Sequence, residues 1–149
     1  MLKSLRRITG KSMRKIIVSK RVSFNAAHRL HAKSLSDAEN TQVFGKCNNP
    51  NGHGHNYELD LELYGEIDPV TGMVVNLTEV KQIVEREIIE RFDHKHLNAD
   101  CPEFADLVPT AENIAVVIWE RLAKTKLKPY LHAVNLYETE RNRVRYQPH

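Results

Sequence analysis

The residues best suited to chemistry in this chain are three histidines, His28, His53 and His55. His53 and His55 flank a single glycine, and side chains two apart on a strand point to the same face. His55 shares parity with Tyr57 and Leu59, so both imidazoles lean toward the side that the strand buries. Gly54 between them leaves space for the backbone to approach an ion. His28 closes an earlier extended run, again on its apolar parity. Two adjacent strands are thus able to aim three imidazoles at one point. Three histidines with an open fourth position are a familiar catalytic zinc set, and imidazole suits zinc. A lone histidine would read as an ordinary turn residue; the in-register trio favours the metal.

Further candidates surround this trio. Cys47 lies six residues before His53 in a polar loop, where a thiolate could be a nucleophile or a general base and a thiol could equally be inert. Cys101, beside Pro102, fits the inert role better. Asp93-His94 pairs a carboxylate with an imidazole that it could orient and make more basic, or it is a solvated loop pair, and nearby His96 competes as the partner. Glu138 follows the parity of His132, Val134 and Leu136, so a carboxylate falls where an apolar side chain is expected. A buried charge is costly unless paired. Such a carboxylate could accept two N–H groups of a guanidine-like heterocycle; alternatively the strand ends at Tyr137 and Glu138 is solvated. Ser23, after Arg21, could be a basic-directed phosphorylation site, although a strand-paired serine is the plainer reading.

Elements able to position these groups are legible. Ile16 to Leu30 reads as a long strand with Val18, Val22, Phe24, Ala26 and His28 on one parity, and Ser36 to Val43 as a short helical turn. Gly45 to Gly54 is a loop rich in Asn, Gly and Pro. Tyr57, Leu59, Leu61 and Leu63 alternate with polar residues, the period of an antiparallel strand with one wet face. A turn over Asp68 to Gly72 follows. Asn76, with Glu79, can cap a helix carrying Leu77, Val80, Val84, Ile88 and Phe92. Asp93 to Pro109 is a connection, and Thr110 caps a second helix whose stripe runs through Ile114, Val117, Ile118, Leu122 and Leu127 until Pro129 ends it. Leu131 to Thr139 and Arg143 to Gln147 are the last strands. Two antiparallel hairpins with a helical pair between them make an α+β domain whose open sheet edges invite pairing with other subunits.

Bulk properties restrict the function classes. A length of 149 residues fits one domain, and 41% hydrophobic residues supply a core. The net charge of +3 does not suggest a nucleic-acid partner, two cysteines make no disulfide framework, and no apolar run suits a membrane span. Residues 1–15 form a basic leader without acids, which reads as a solvated segment ahead of a catalytic domain over 16–149; an organelle transit peptide is the lesser alternative to a cytoplasmic protein.

Taken together the motifs resemble the 6-pyruvoyl-tetrahydropterin synthase / 6-carboxy-tetrahydropterin synthase family. The matching stretches are Ser23 to Leu30, Phe44 to Tyr57, Thr71 to Leu77, Asp93 to Asn98 and Glu138-Thr139, within Lys20 to Tyr146. The resemblance implies a tunnelling fold (T-fold): a four-stranded antiparallel sheet with two helices on one face, joined into a barrel in a homohexamer made of two trimers. It implies a lyase that converts 7,8-dihydroneopterin triphosphate to 6-pyruvoyl-tetrahydropterin, eliminating triphosphate. One zinc per subunit on His28, His53 and His55 is implied, with Mg²⁺ able to accompany the triphosphate. Cys47, Asp93 and His94 would form the proton-transfer set between subunits, Cys47 serving a neighbour's zinc. Glu138 would anchor the pterin, with Thr110 and Glu112 in the same pocket. Ala111 and His96 depart from residues common in the family, and the leader has no counterpart in its core. Five residues between Cys47 and His53, where the 6-carboxy branch typically has three, favour the pyruvoyl branch over the queuosine enzyme. A non-catalytic pterin- or zinc-binding relative is the remaining alternative.

Overall fold

The structure, a computed structural model, describes residues 14–148. The basic leader lies outside the described residues apart from Arg14 and Lys15, and Lys15 already opens the first strand. That strand, β1 (Lys15–His28), pairs antiparallel with β2 (His53–Glu66) along its whole length. Period-two alternation decides which side is buried. Phe24, Ala26 and His28 of β1 and Tyr57, Leu59, Leu61 and Leu63 of β2 are all buried on the same face. The register sets Phe24 opposite Tyr57, Ala26 opposite His55 and His28 opposite His53. Phe24 and Tyr57 stack at 5.0 Å, fixing that register next to the histidines.

β2 pairs on its other edge with β4 (Leu131–Tyr137), which carries β5 (Arg143–Tyr146). These are the four antiparallel strands anticipated. A fifth, β3 (Lys95–His96), lies parallel to the end of β1, so the sheet order is β3-β1-β2-β4-β5. Two residues are too few to show a period, which is why this stretch reads only as a connection in sequence.

One face of the sheet is covered by helices. α1 (Asp37–Phe44) starts at Ser36 with a complete capping box to Glu39. α2 (Leu77–Val84) passes through one π-type turn (Glu85–Ile89) into α3 (Glu90–Phe92). Asn76 caps it by accepting from Thr78 N–H, while Glu79 pairs with Lys126 instead of closing a capping box. Val80, Val84, Ile88 and Phe92 recur every fourth residue and all are buried. In a regular α-helix a four-residue step overshoots one turn by about 40°, so such a row would drift off the sheet. The π-type turn absorbs that drift. Arg121 Nε donates to the Glu87 carbonyl inside the turn at 2.7 Å, and its other nitrogens meet Glu87 and Glu103.

After a single turn, α4 (Leu97–Asp100), comes α5 (Ala111–Leu122), capped by Thr110 as expected. It ends at Leu122, not at Pro129; Leu127 is buried from the connection beyond, and Pro129 sits in the next short turn, Lys128–Tyr130. Among the described residues no helix is long and apolar enough to cross a membrane.

Candidate metal centre and active site

His28, His53 and His55 meet at one end of the sheet, each offering a ligand atom, all within 4.8 Å of one another. Their ring centroids lie 4.6 to 5.1 Å apart. The β1–β2 register produces this. His28 faces His53 directly, and across from His55 stands Ala26, whose methyl leaves room for the ring to reach its partners. Gly52 brings the chain into β2 with φ +71, and a Cβ there would stand 2.8 Å from His96 Nε2 and 2.9 Å from the His28 carbonyl. Only glycine fits both the left-handed conformation and this close approach.

The ring nitrogens fit a cation. His28 Nδ1 lies 2.7 Å from the Pro109 carbonyl, which can only accept, so Nδ1 carries the proton and Nε2 presents its lone pair. That Nε2 faces His53 Nε2 at 3.1 Å. Nδ1 of His53 and Nε2 of His55 are buried without a hydrogen-bond partner. Buried unpaired nitrogens are costly, and a divalent ion met by His55 Nε2 would remove the cost there. Burial lowers the pKa of His28 from the ordinary imidazole value of 6.5 to about 4, and burial likewise lowers that of His55. Neutral imidazoles are what a metal requires.

A pH dependence follows for the metal-free protein. The unfolded chain protonates His28 near 6.5, while the folded chain resists until about 4. Its contribution to stability is therefore complete above pH 6.5 and is lost as pH falls to about 4, where it levels off. The thermal midpoint of the metal-free protein is expected to fall across that window, and less steeply in His28→Gln.

Glu138 lies just past β4, with Oε1 3.8 Å from His55 Nε2. Tyr57, whose hydroxyl is 3.3 Å from His28 Nδ1, has its pKa raised by burial and then by Glu138, so it remains a neutral phenol. Thr110 is drawn to the site because the preceding carbonyl holds His28, but its hydroxyl is occupied in capping α5, accepting from Asn113 N–H at 3.3 Å. Glu112 is exposed on the first turn of that helix.

Asp93 and His94 are gripped by the edge of β1 that β3 joins. Asp93 Oδ1 accepts from Asn25 N–H at 2.8 Å, and His94 N–H donates to the Asn25 carbonyl at 2.6 Å. Asp93 Oδ2 accepts from His94 Nδ1 at 2.8 Å. The Asn25 amide, more than any other neighbour, holds the Asp93 carboxyl below its usual range, so it stays ionised. His94 sits at φ 59, a left-handed conformation that costs energy outside glycine and is found at functional positions. Its side chain is 83% exposed and points away from the chain's own body. Cys47 is half-buried in the turn Gly45–Asn48, and its carbonyl accepts from Leu30 N–H beside the end of β1. Among the described residues no hydrogen bond or ion pair joins Cys47 to Asp93-His94 or to the three histidines. A single chain therefore gathers the three histidines and Glu138 but leaves His94 facing outward.

The sequence profile of 6-pyruvoyl tetrahydropterin synthase matches residues 17–149. The chain belongs to that family. It is 54% identical over 130 residues to human 6-pyruvoyl tetrahydrobiopterin synthase, covering 87% of this chain and 90% of the relative. The Drosophila melanogaster protein of the same name is 47% identical over 131 residues, covering 87% and 78%. A 6-carboxy-5,6,7,8-tetrahydropterin synthase of Haemophilus influenzae is 30% identical, covering 87% and 97%. The solved structure of Caenorhabditis elegans 6-pyruvoyl tetrahydropterin synthase superposes with a TM-score of 0.89 at 40% identity, covering 92% of this chain and 98% of that one. The T-fold read from the motifs is thereby the fold of a family member.

Two backbone groups at the site have no sequence signal, and a third residue takes a different place from the one its sequence suggests. Pro109 acts through its carbonyl, which no residue type announces. Asn25 acts through its backbone. His96 reads as a rival to His94, but it sits in β3 against Gly52, its Nδ1 buried and unpartnered. The hold of Asn25 on Asp93 and His94 joins positions more than sixty residues apart, which no local period announces.

Proposed function

We propose that the chain is a zinc-dependent 6-pyruvoyl-tetrahydropterin synthase, a carbon–oxygen lyase that eliminates triphosphate from 7,8-dihydroneopterin triphosphate. The observation that carries this reading is Glu138 at 3.8 Å from His55 Nε2: a group suited to a pterin ring stands within one small molecule's length of a three-histidine pocket. His28, His53 and His55 hold the metal. When bound, zinc supplies a Lewis-acid charge that makes C–H bonds next to the substrate's side-chain oxygens more acidic.

Proton movement belongs to the chain's own residues. Glu138 accepts paired N–H groups of the pterin and fixes its orientation, with Thr110 and Glu112 at the same end of α5. Cys47 takes the side-chain proton as thiolate. Ionised Asp93 keeps the proton of His94 on Nδ1, so exposed Nε2 is the nitrogen that activates the thiol or returns the proton. The outward-facing His94 supports a site completed between subunits of a homohexamer, with Cys47 serving a neighbour's zinc. Mg²⁺ accompanies the triphosphate. A cytoplasmic protein, with residues 1–15 as a leader and 16–149 as the catalytic domain, is part of the same reading.

Glu138→Gln is expected to raise KM for the pterin substrate about ten- to a hundredfold, because a neutral amide replaces a charge-assisted acceptor, while zinc content is kept. Steady-state kinetics with metal analysis check this. The test of the function is product identification with 7,8-dihydroneopterin triphosphate. 6-Pyruvoyl-tetrahydropterin is expected; acetaldehyde and 6-carboxy-tetrahydropterin would mark the other branch, and no product would sink the assignment.

A further inference from the structure

The functional groups lie in a row that follows the strand order. Glu138 leaves β4, His55 and His53 stand on β2, His28 ends β1, and His96 lies on β3 beyond. Neighbouring strands are about 4.8 Å apart, so β4 to β1 spans roughly 10 Å. With the pterin edge at Glu138 and its side-chain oxygens at the histidines, the rest of the substrate must continue past β1.

A cleft of about 680 Å³ lies there. His96 and Val108 line it, and both touch the metal centre's surroundings: His96 packs on Gly52, and Val108 precedes the carbonyl that orients His28. Arg29, His31 and Lys33, alternate residues of the segment leaving β1, line the same cleft. Arg29 uses Nε on the Asn48 carbonyl, and among the described residues its terminal nitrogens have no hydrogen bond. His31 Nδ1 accepts from the Asn48 amide, which leaves Nε2–H as a donor. Lys33 Nζ meets Asp106 at 2.7 Å and the Ala105 carbonyl, but the two side chains are 73% and 90% exposed. An exposed pair of this kind contributes little, so an anion with several charges can displace the carboxylate.

We propose that this cleft receives the triphosphate end of the substrate, with Arg29, His31 and Lys33 donating to phosphate oxygens. The proposal rests on the function proposed above.

The test uses the zinc-loaded protein and two probes: inorganic tripolyphosphate as its magnesium complex, and 7,8-dihydroneopterin, which has no phosphate. By calorimetry Lys33→Gln is expected to weaken tripolyphosphate about five- to tenfold, and Lys33→Arg to restore it, with 7,8-dihydroneopterin bound equally by all three. KM for the triphosphate substrate should rise with the loss of tripolyphosphate affinity. Unchanged tripolyphosphate affinity in Lys33→Gln, or an equal loss of the phosphate-free pterin, overturns the cleft assignment. Absence of turnover with Lys33-dependent tripolyphosphate binding intact would instead retire the proposed function and leave the anion site standing.

Discussion

Cys47→Ala is expected to lower kcat by about 10²- to 10⁴-fold, the range that a positioned proton-transfer group supplies. The thiol forms no hydrogen bond among the described residues, and the backbone bond from Leu30 to the Cys47 carbonyl survives the substitution. The fold, zinc content and pterin affinity should therefore stay close to wild type, so that the loss falls on kcat rather than KM. Turnover equal to wild type would remove Cys47 from the chemistry and return the thiol to the inert role.

The second large effect is on the metal. His53→Ala is expected to lower zinc affinity by more than about 100-fold, beyond the 10- to 100-fold cost of losing a residue that merely supports a ligand, and to abolish turnover. His53 is the cleaner position to test. His28 is fully buried and held by Pro109, so its removal would also empty the core and strand a carbonyl, whereas His53 is only partly buried and its Nδ1 has no partner to lose. Zinc analysis after dialysis, alongside the thermal midpoint of the metal-free form, separates the two kinds of loss. If Cys47 serves a neighbour's zinc, co-refolding Cys47→Ala with His53→Ala should recover part of the activity that neither variant has alone.

The histidine trio was legible because it obeys the same period-two rule as the core. His28 continues the parity of Phe24 and Ala26, and His55 that of Tyr57 and Leu59, and all but His55 are fully or almost fully buried. Glu138 was found for a reason that the strand boundary removes. β4 stops at Tyr137, so parity no longer places Glu138; it is the β2–β4 pairing, with Glu58 opposite Tyr137, that carries Glu138 back toward His55. The helix that Asn76 caps was clear from its apolar row, but the Arg121 contact inside its π-type turn was not, since that depends on a guanidinium arriving from α5. β3 and the left-handed His94 were hidden for the same kind of reason: each is fixed by the edge of β1, a partner more than sixty residues away. Local period reads faces well, and it is silent about which distant backbone group will hold a side chain.

Zinc K-edge X-ray absorption on the purified protein tests the central claim most directly. Three imidazole nitrogens at about 2.0–2.1 Å are predicted, with one of them lost in His53→Ala. A sulfur shell at about 2.3 Å, or zinc whose spectrum ignores His53→Ala, would contradict the three-histidine centre.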